Sequence, residues 1–490
     1  MKAVLLTMLL LFSTLSVDML AQNTFEFELN YPIRKDSRIA IEDQLGNIYA
    51  LISESTGVNF APSTPTKSYL LKFNAYGDTS TIHFNLGDTL FRLNQMVKDK
   101  HNGYYLLGYA QPIEEEEVFL VIIGTDSDFN QLWTKYHLLG NYYRAAVDKV
   151  FEFDNKYMLL FTTCDFPCTS DYLNFAWMDT TGMISDVTTF EYRTQPMPDY
   201  LLSPDSSQLW VFSMAMVGFY GSYPVRIKFD TAFQYIDAAY LPDGSHANTN
   251  VRWISDTTFL YSYNELRSNS TSNDDEMYLM ISDTSLNAVH YEYYGEQNSK
   301  DVCGFGSNNI DFISPDSIFF IGYRNQKVGI PEPGRVSWLM TGQTDRQLQT
   351  RYFKYYGGDR YYDAFYVLAT RDGGSFICGS WYNHDTHISN PIFLKLNEEG
   401  LITASSETFM KERNIAFWPV PFSSQLTYES VRPFSSLQLY DNMGRLVYET
   451  IGWELNGSIV VDHLDAGIYH YKVTFLNNIL PETGRIIKTR

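Results

Sequence analysis

Residues with chemical potential are few in this chain, and they gather toward its C-terminal third. Asp359 and Asp363, in the run Gly-Gly-Asp-Arg-Tyr-Tyr-Asp, flank Arg360, Tyr361 and Tyr362. Two carboxylates at such spacing are the raw material for acid–base cleavage of a glycoside, provided folding sets their separation. The same cluster suits non-covalent recognition, because tyrosine offers a flat apolar face with a polar tip. His384 and His387 follow beside Trp381 and Tyr382. Two histidines three apart could share a metal on a helix, but this stretch reads as a loop and has no third ligand, so they read as surface histidines. Asn273-Asp274-Asp275-Glu276 and Glu114 to Glu117 offer carboxylate oxygens. They lack the alternating spacing of a calcium loop and read as solvated acidic loops, so calcium is the one cofactor they could hold and no metal site is assigned. There is no glycine-rich phosphate cradle, no Gly-x-Ser-x-Gly elbow and no His-Glu-x-x-His helix.

The elements that must position these residues are strands. Hydrophobic residues make up 44% of the 490 and charged residues 19%, which favours a large folded core over disorder. Aromatics reach 16%, a composition that suits pleated sheets. One strand-like segment recurs: GNIYALIS, GYYLLGYA, KYMLLFTT, QLWVFSMA, TTFLYSYN, SIFFIGYR and GSFICGSW. Each follows a turn with an aspartate (Asp43, Asp99, Asp154, Asp205, Asp256, Asp316, Asp372), whose carboxylate suits a backbone N–H two residues on. A second apolar strand, a turn with Asp, Asn or Gly, and a more polar strand complete each unit. Four strands in roughly 50–60 residues, repeated, with no sustained helical period, predict an all-β chain built as a seven-bladed β-propeller.

A ring of sheets must be closed or its last edge invites aggregation. The N-terminal TFEFELNYPIRKDSRIAIEDQ matches the internal TFEYRTQPMPDYLLSPDSSQ, which makes residues 25–30 a fourth-type strand lying ahead of the first blade. It is expected to dock on the last blade, with 401–409 the competing segment. Second-to-third and fourth-to-first connections are long and dissimilar, and in an antiparallel blade they emerge on one side. That side is the expected binding face. Contact area there would come from Tyr142, Tyr143, Phe219, Tyr220, Tyr361, Tyr362, Trp381 and Tyr382, and polar contacts from Asp359, Arg360 and His384. Binding of an extracellular glycan or protein is the first functional reading. The alternative is a secreted hydrolase or lyase acting on polysaccharide through Asp359 and Asp363.

Compartment follows from the ends. The start MKAVLLTMLLLFSTLSVDMLAQ reads as a signal peptide, residues 1–21, and no later run is long enough to span a bilayer. Export permits a disulfide between Cys164 and Cys168, while Cys378 reads as a buried thiol. The net charge of −21 excludes nucleic acid as a partner and argues against adsorption to an anionic membrane. The propeller is expected over 22–410. From Asn414 the pattern changes to short alternating strands with glycine turns, a small β-sandwich over 411–490.

Here the chain resembles the C-terminal sorting domain of the type IX secretion system of Bacteroidetes-type bacteria. The residues that carry the resemblance are Leu439-Tyr440-Asp441, Gly444-Arg445-Leu446-Val447, Leu464-Asp465-Ala466-Gly467-Ile468-Tyr469 and Arg485-Ile486-Ile487-Lys488. Where the family opens with Tyr-Pro-Asn-Pro, this chain has Trp418-Pro419-Val420-Pro421. The resemblance implies passage through the outer membrane by the type IX export machinery, and a secreted or surface-attached product.

Overall fold

A computed structural model describes residues 24–29, 34–55, 65–111, 117–140, 142, 144–153, 155–164, 171–185, 187–194, 198–216, 222–241, 246–266, 275–296, 299–304, 308–327, 330–402, 415–418, 422–430, 433–441, 445–451, 455–476 and 482–489. The proposed signal peptide lies outside them. The chain divides into two compact units, Met1–Glu407 and Thr408–Arg490. Among the described residues there is no helix, and hence none long and apolar enough to cross a membrane.

The first unit is a seven-bladed β-propeller. Its sheets cover 34–83, 90–140, 144–194, 199–240, 246–294, 302–357 and 361–396, each of antiparallel strands in chain order. A single pair, Thr194 opposite Ala215, joins the third sheet to the fourth. In the sixth sheet the first strand is broken into Val302–Cys303 and Ile310–Asp311, both on Ile318–Arg324. The first strands of consecutive sheets pack side by side in a complete circle, and those of the last and first sheets also touch. They therefore surround the central channel.

The expected closure is present. Phe25–Glu28 pairs antiparallel with Ile388–Leu396, so the seventh sheet takes its outer strand from the N-terminus. Phe25 is 6% exposed and stacks on Phe73 of the first sheet at 5.3 Å. The clasp thus seals an edge and fills the gap between last and first sheets.

Third-to-fourth turns carry the most regular chemistry in the chain. Asn74, Asp126, Asp179, Asp230, Asp283, Asp345 and Asn397 each accept two backbone N–H groups, two and four residues on, through one side-chain oxygen. Three residues after each, the backbone enters the left-handed region, φ 60 to 82°. That geometry closes a hairpin with one extra residue. Four of the seven left-handed residues are apolar: Phe129, Phe233, Leu286 and Leu348. All four are buried, and each joins a core cluster with the preceding sheet: Phe129 lies against Tyr49 and Phe233 against Phe175. At the other three seams the residue is Gly77, Gly182 or Gly400, and the space is taken by Phe25, Trp133 or Tyr352 from the preceding sheet's outer strand. Either way a large side chain plugs the seam. The heavy aromatic composition is explained by these plugs.

The second unit is a β-sandwich. One sheet holds Ile415–Trp418, Gln425–Ser430 and Asn456–Val460, and the other holds Leu446–Thr450, Phe434–Tyr440, Gly467–Phe475 and Glu482–Lys488. Phe434, Leu437, Leu439, Val461 and Val473 are fully buried between them. The motif residues have structural roles: Asp441 accepts the backbone N–H of Arg445 at 2.9 Å, and Tyr469 donates to the Asp465 carbonyl at 2.6 Å.

Candidate functional site

Each first strand enters the channel from the side of the long connections, so its first residues lie at that mouth. Arg34 opens its strand, Asp199 opens another, and Asp36 and Asp363 stand third in theirs. Polar side chains bind each first strand to the next in an unbroken girdle. Arg92 donates to Asp36 at 2.6 Å. Asn94 and Gln95 donate to the carbonyls of Val147 and Asp148, both at 2.6 Å. Lys149 pairs with Asp199 at 3.1 Å, and the other Asp199 oxygen accepts the Val251 N–H at 2.9 Å. Arg252 reaches Asp311 at 3.4 Å and also donates to Asn308. Asn308 in turn donates to the Val367 carbonyl at 2.7 Å, and Asp311 accepts the Ala369 N–H at 2.8 Å. Tyr366 returns to the first sheet by donating to the Ala40 carbonyl at 3.2 Å.

Titration behaviour follows from this pairing. Burial pushes the Asp36 carboxyl up, but Arg92, Arg38 and Arg34 outweigh it and hold it below its ordinary value. Burial lowers Lys149 despite Asp199, and raises Asp311 despite Arg252. Asp363 stands apart. Burial lifts its carboxyl to about 7 against the pull of Arg34 and Arg38. Arg34 and Asp363 lie opposite Ser55 and Ser380 in their strand pairings, and their side chains act on each other electrostatically. Arg38 lies 3.8 Å from Asp36 and 5.4 Å over the Phe365 ring.

The residues singled out from the sequence are placed differently. Tyr361, Tyr362, Trp381 and Tyr382 are 2, 3, 6 and 2% exposed, so the expectation that they offer contact area is corrected. Tyr362 and Trp381 belong to the core between sixth and seventh sheets, and the Tyr361 hydroxyl donates to the Lys327 carbonyl at 3.2 Å. Arg360, expected as a ligand contact, forms a two-pronged ion pair with Glu28 of the clasp at 2.9 and 3.2 Å and lies 4.5 Å over Trp381. It locks the ring. Asp359 accepts from Tyr362 at 2.6 Å and from Arg360 at 3.2 Å. Partial burial pushes it up, but those two hydrogen bonds bring it below its ordinary value. Asp359 thus engages groups leading outward to the clasp, while Asp363 faces the arginines of the first sheet. They do not converge on one point.

Tyr142 is half-buried between second and third sheets. Tyr143, Phe219 and Tyr220 lie outside the described residues. His387 shares a hydrogen bond with Tyr382 at 2.8 Å, and His384 packs edge-on to Tyr382 at 5.0 Å. Cys164 is disulfide-bonded and Cys303 and Cys378 are buried free thiols, while Cys168 lies outside the described residues. Asp275 and Glu276 are 6 and 1% exposed within a strand, which corrects their reading as a solvated loop. Glu114 to Glu116, Asn273 and Asp274 lie outside the described residues. Among the described residues no three His, Cys, Asp or Glu gather as a metal site.

Sequence reasoning missed the girdle. Its signal was available: Asp36 and Arg92, Lys149 and Asp199, and Arg252 and Asp311 are 56, 50 and 59 residues apart, about one repeat each. That spacing lies in the first strands, whereas the repeat is most visible in the apolar second and third strands.

Comparison with known proteins addresses the second unit most directly. Residues 416–488 match the family described as secretion system C-terminal sorting domain. No curated protein matches the chain. Among solved structures, the chain is similar to the β-propeller domain of the Trilobed protease from Pyrococcus furiosus at 8% identity, covering 76% of this chain and 98% of that one, TM-score 0.41. It is also similar to a puromycin hydrolase at 10% identity, covering 89% and 58%, TM-score 0.43. A third is a family GH43 endo-arabinanase from Bacillus licheniformis at 13% identity, covering 52% and 95%, TM-score 0.30.

Proposed function

We propose, from the premise that residues 416–488 are a type IX sorting domain and the product is secreted or held at the outer-membrane surface, that the propeller is a non-catalytic binding protein. It takes an extracellular glycan or protein at the channel mouth on the side of the long connections. The observation that supports this is the state of the channel carboxylates. Asp36, Asp199 and Asp311 are each held by a cation or backbone N–H of the neighbouring sheet, and Asp359 and Asp363 engage different neighbours. A hydrolase of the two-carboxylate kind needs two such groups facing one bond.

A second reading has one observation in its favour. Asp363, with its carboxyl raised to about 7, is in the range of a general acid at neutral pH. Incubating the full chain with a panel of polysaccharides, scoring both retention and release of new reducing ends, separates the two. Retention without cleavage is the expected result. Cleavage abolished in Asp363→Asn would overturn the binding reading and establish a polysaccharide hydrolase or lyase.

A further inference from the structure

Fourth strands form the outer wall of the ring, and at the fifth sheet that wall is hollowed. A groove of about 440 Å³ starts at the third-to-fourth turn and follows the outer strand, lined by Tyr278, Met280, Leu286, Asn287, Tyr291 and Tyr293. The Tyr278 and Tyr293 rings are 4.6 Å apart, and Tyr291 lies 5.8 Å from Tyr278 and 6.2 Å from Tyr293. Tyr263 backs Tyr278 at 4.5 Å. Tyr291 is nonetheless 60% exposed. That exposure is particular to this seam. Tyr291 and Tyr293 stand eight and ten residues after Asp283, as Phe353 and Tyr355 of the sixth sheet stand eight and ten after Asp345. The latter two are half-buried, Phe353 against Tyr294 at 5.5 Å and Tyr355 beneath Arg324 at 5.3 Å. At the fifth sheet the neighbouring outer strand, Tyr235–Tyr240, gives the core cluster behind the groove only the small Ala239 among the described residues.

We propose that this groove is a second binding site, separate from the channel mouth, which takes a neutral sugar unit of a glycan stacked on Tyr291. The turn that opens it lies at the end of the ring away from the long connections, so the two sites do not overlap. A pyranose has a flat face of C–H groups bordered by hydroxyls, and tyrosine has the matching form, a flat apolar ring with a polar tip. Tyr278, held between Tyr263 and Tyr293, forms the floor, and little side-chain freedom remains to be lost when a ligand docks. Asn287 donates its amide N–H to Asp283 at 2.8 Å, which fixes the amide and keeps its side-chain oxygen as an acceptor for a sugar hydroxyl.

Charge and size narrow the ligand. No lining residue is charged, so an ion entering the groove would give up hydration with nothing to replace it. The chain's −21 also repels polyanions, nucleic acid among them, whose bases would otherwise suit an aromatic floor. A wholly apolar ligand would strip water from the tyrosine hydroxyls and the Asn287 amide without replacing it. An uncharged body with one apolar face and a polar border meets neither objection. The volume of about 440 Å³ lies toward the small end for ligand pockets, room for about one or two sugar rings.

The test is calorimetric titration of the full chain with lactose, maltose, cellobiose, mannobiose and N,N′-diacetylchitobiose. At least one should bind, with an affinity that about a tenfold rise in salt leaves unchanged, because no charge is neutralised. Tyr291→Ala should weaken that binding by about tenfold, the worth of a stacked ring with its buried area. Tyr291→Phe keeps the ring and should stay within about threefold of wild type. Both variants should melt with wild type, since the side chain is largely exposed. Failure of every one of these sugars to bind overturns the proposal. So does wild-type affinity in Tyr291→Ala: the sugar would then sit elsewhere, and the reading of the channel mouth would stand. Self-association lost in Tyr291→Ala, with no sugar bound, would give the groove to a second copy of the chain instead.

Discussion

At the scale of single residues, Asp363 ties the site to stability. Its folded carboxyl titrates near 7, above the ordinary 3.8 it returns to on unfolding. Between those values the folded state holds the extra proton, so stability falls as pH rises from about 4 to about 7 and stays low above. Asp363→Asn removes that penalty. Chemical denaturation at pH 8 should show the variant more stable by on the order of 2 kcal/mol, after channel water has screened the full linkage of about 1.36 kcal/mol per unit. At pH 5 the two should differ much less. A variant less stable than wild type at both values would mean that Asp363 is ionised and satisfied by its arginines. Arg360 gives the complementary case, a charge whose work is structural. A double-mutant cycle between Arg360→Ala and Glu28→Ala should give a coupling of about 1 kcal/mol, because the pair is two-pronged yet partly open to solvent. Either single change should leave ligand affinity alone.

At the scale of elements, the seam plugs set two opposing terms against each other. A leucine at positive φ costs about 1 kcal/mol in backbone strain, which glycine would relieve. Burial of that leucine is worth roughly 1.5–3 kcal/mol, and removing it leaves a cavity besides. Leu348→Gly, at a residue 2% exposed, should therefore destabilise by about 1–4 kcal/mol in urea unfolding, despite easing the turn. Gly182→Ala should also destabilise, for the inverse reason: at φ +80° the new Cβ would sit 2.5 Å from the Trp133 ring. Turn positions were legible in the sequence, since Asp and Asn announce them. Nothing in the turn pattern itself gives the apolar residues three places later a role. Only a neighbouring sheet makes Phe129 or Leu348 a plug, and that neighbour's identity is not encoded within the turn.

At the scale of the whole molecule, ring closure and export are separable. Removing residues 24–29 takes away the clasp and leaves Ile388–Leu396 as an open edge, so a chain lacking them should elute as aggregates and unfold with a broader transition. Removing 408–490 should leave the propeller's own fold intact and keep the product inside the outer membrane, as cell fractionation would show. The blade count, the clasp and the sorting domain could all be read from the chain because each depends on local pattern: alternation, turn residues and a repeated motif. The cluster at 359–363 was noticed for its composition, yet most of it is absorbed by packing. Tyr362 and Trp381 fill a seam and Arg360 holds the clasp. Composition marks what a residue is able to do, whereas burial decides whether a ligand can reach it.

Sequence alone determined the all-strand architecture, its seven repeats, its closure by the first strand and its address outside the cell, since periodicity and motif act over a few neighbouring residues. Tertiary structure alone decided which charges answer one another across the channel, because those partners lie about a repeat apart or, at the closing seam, some three hundred residues apart. Arg34 and Asp363 look like unremarkable strand residues until the ring brings the two ends of the propeller together, and the electrostatic pull of Arg34 on Asp363 is a property of the closed ring.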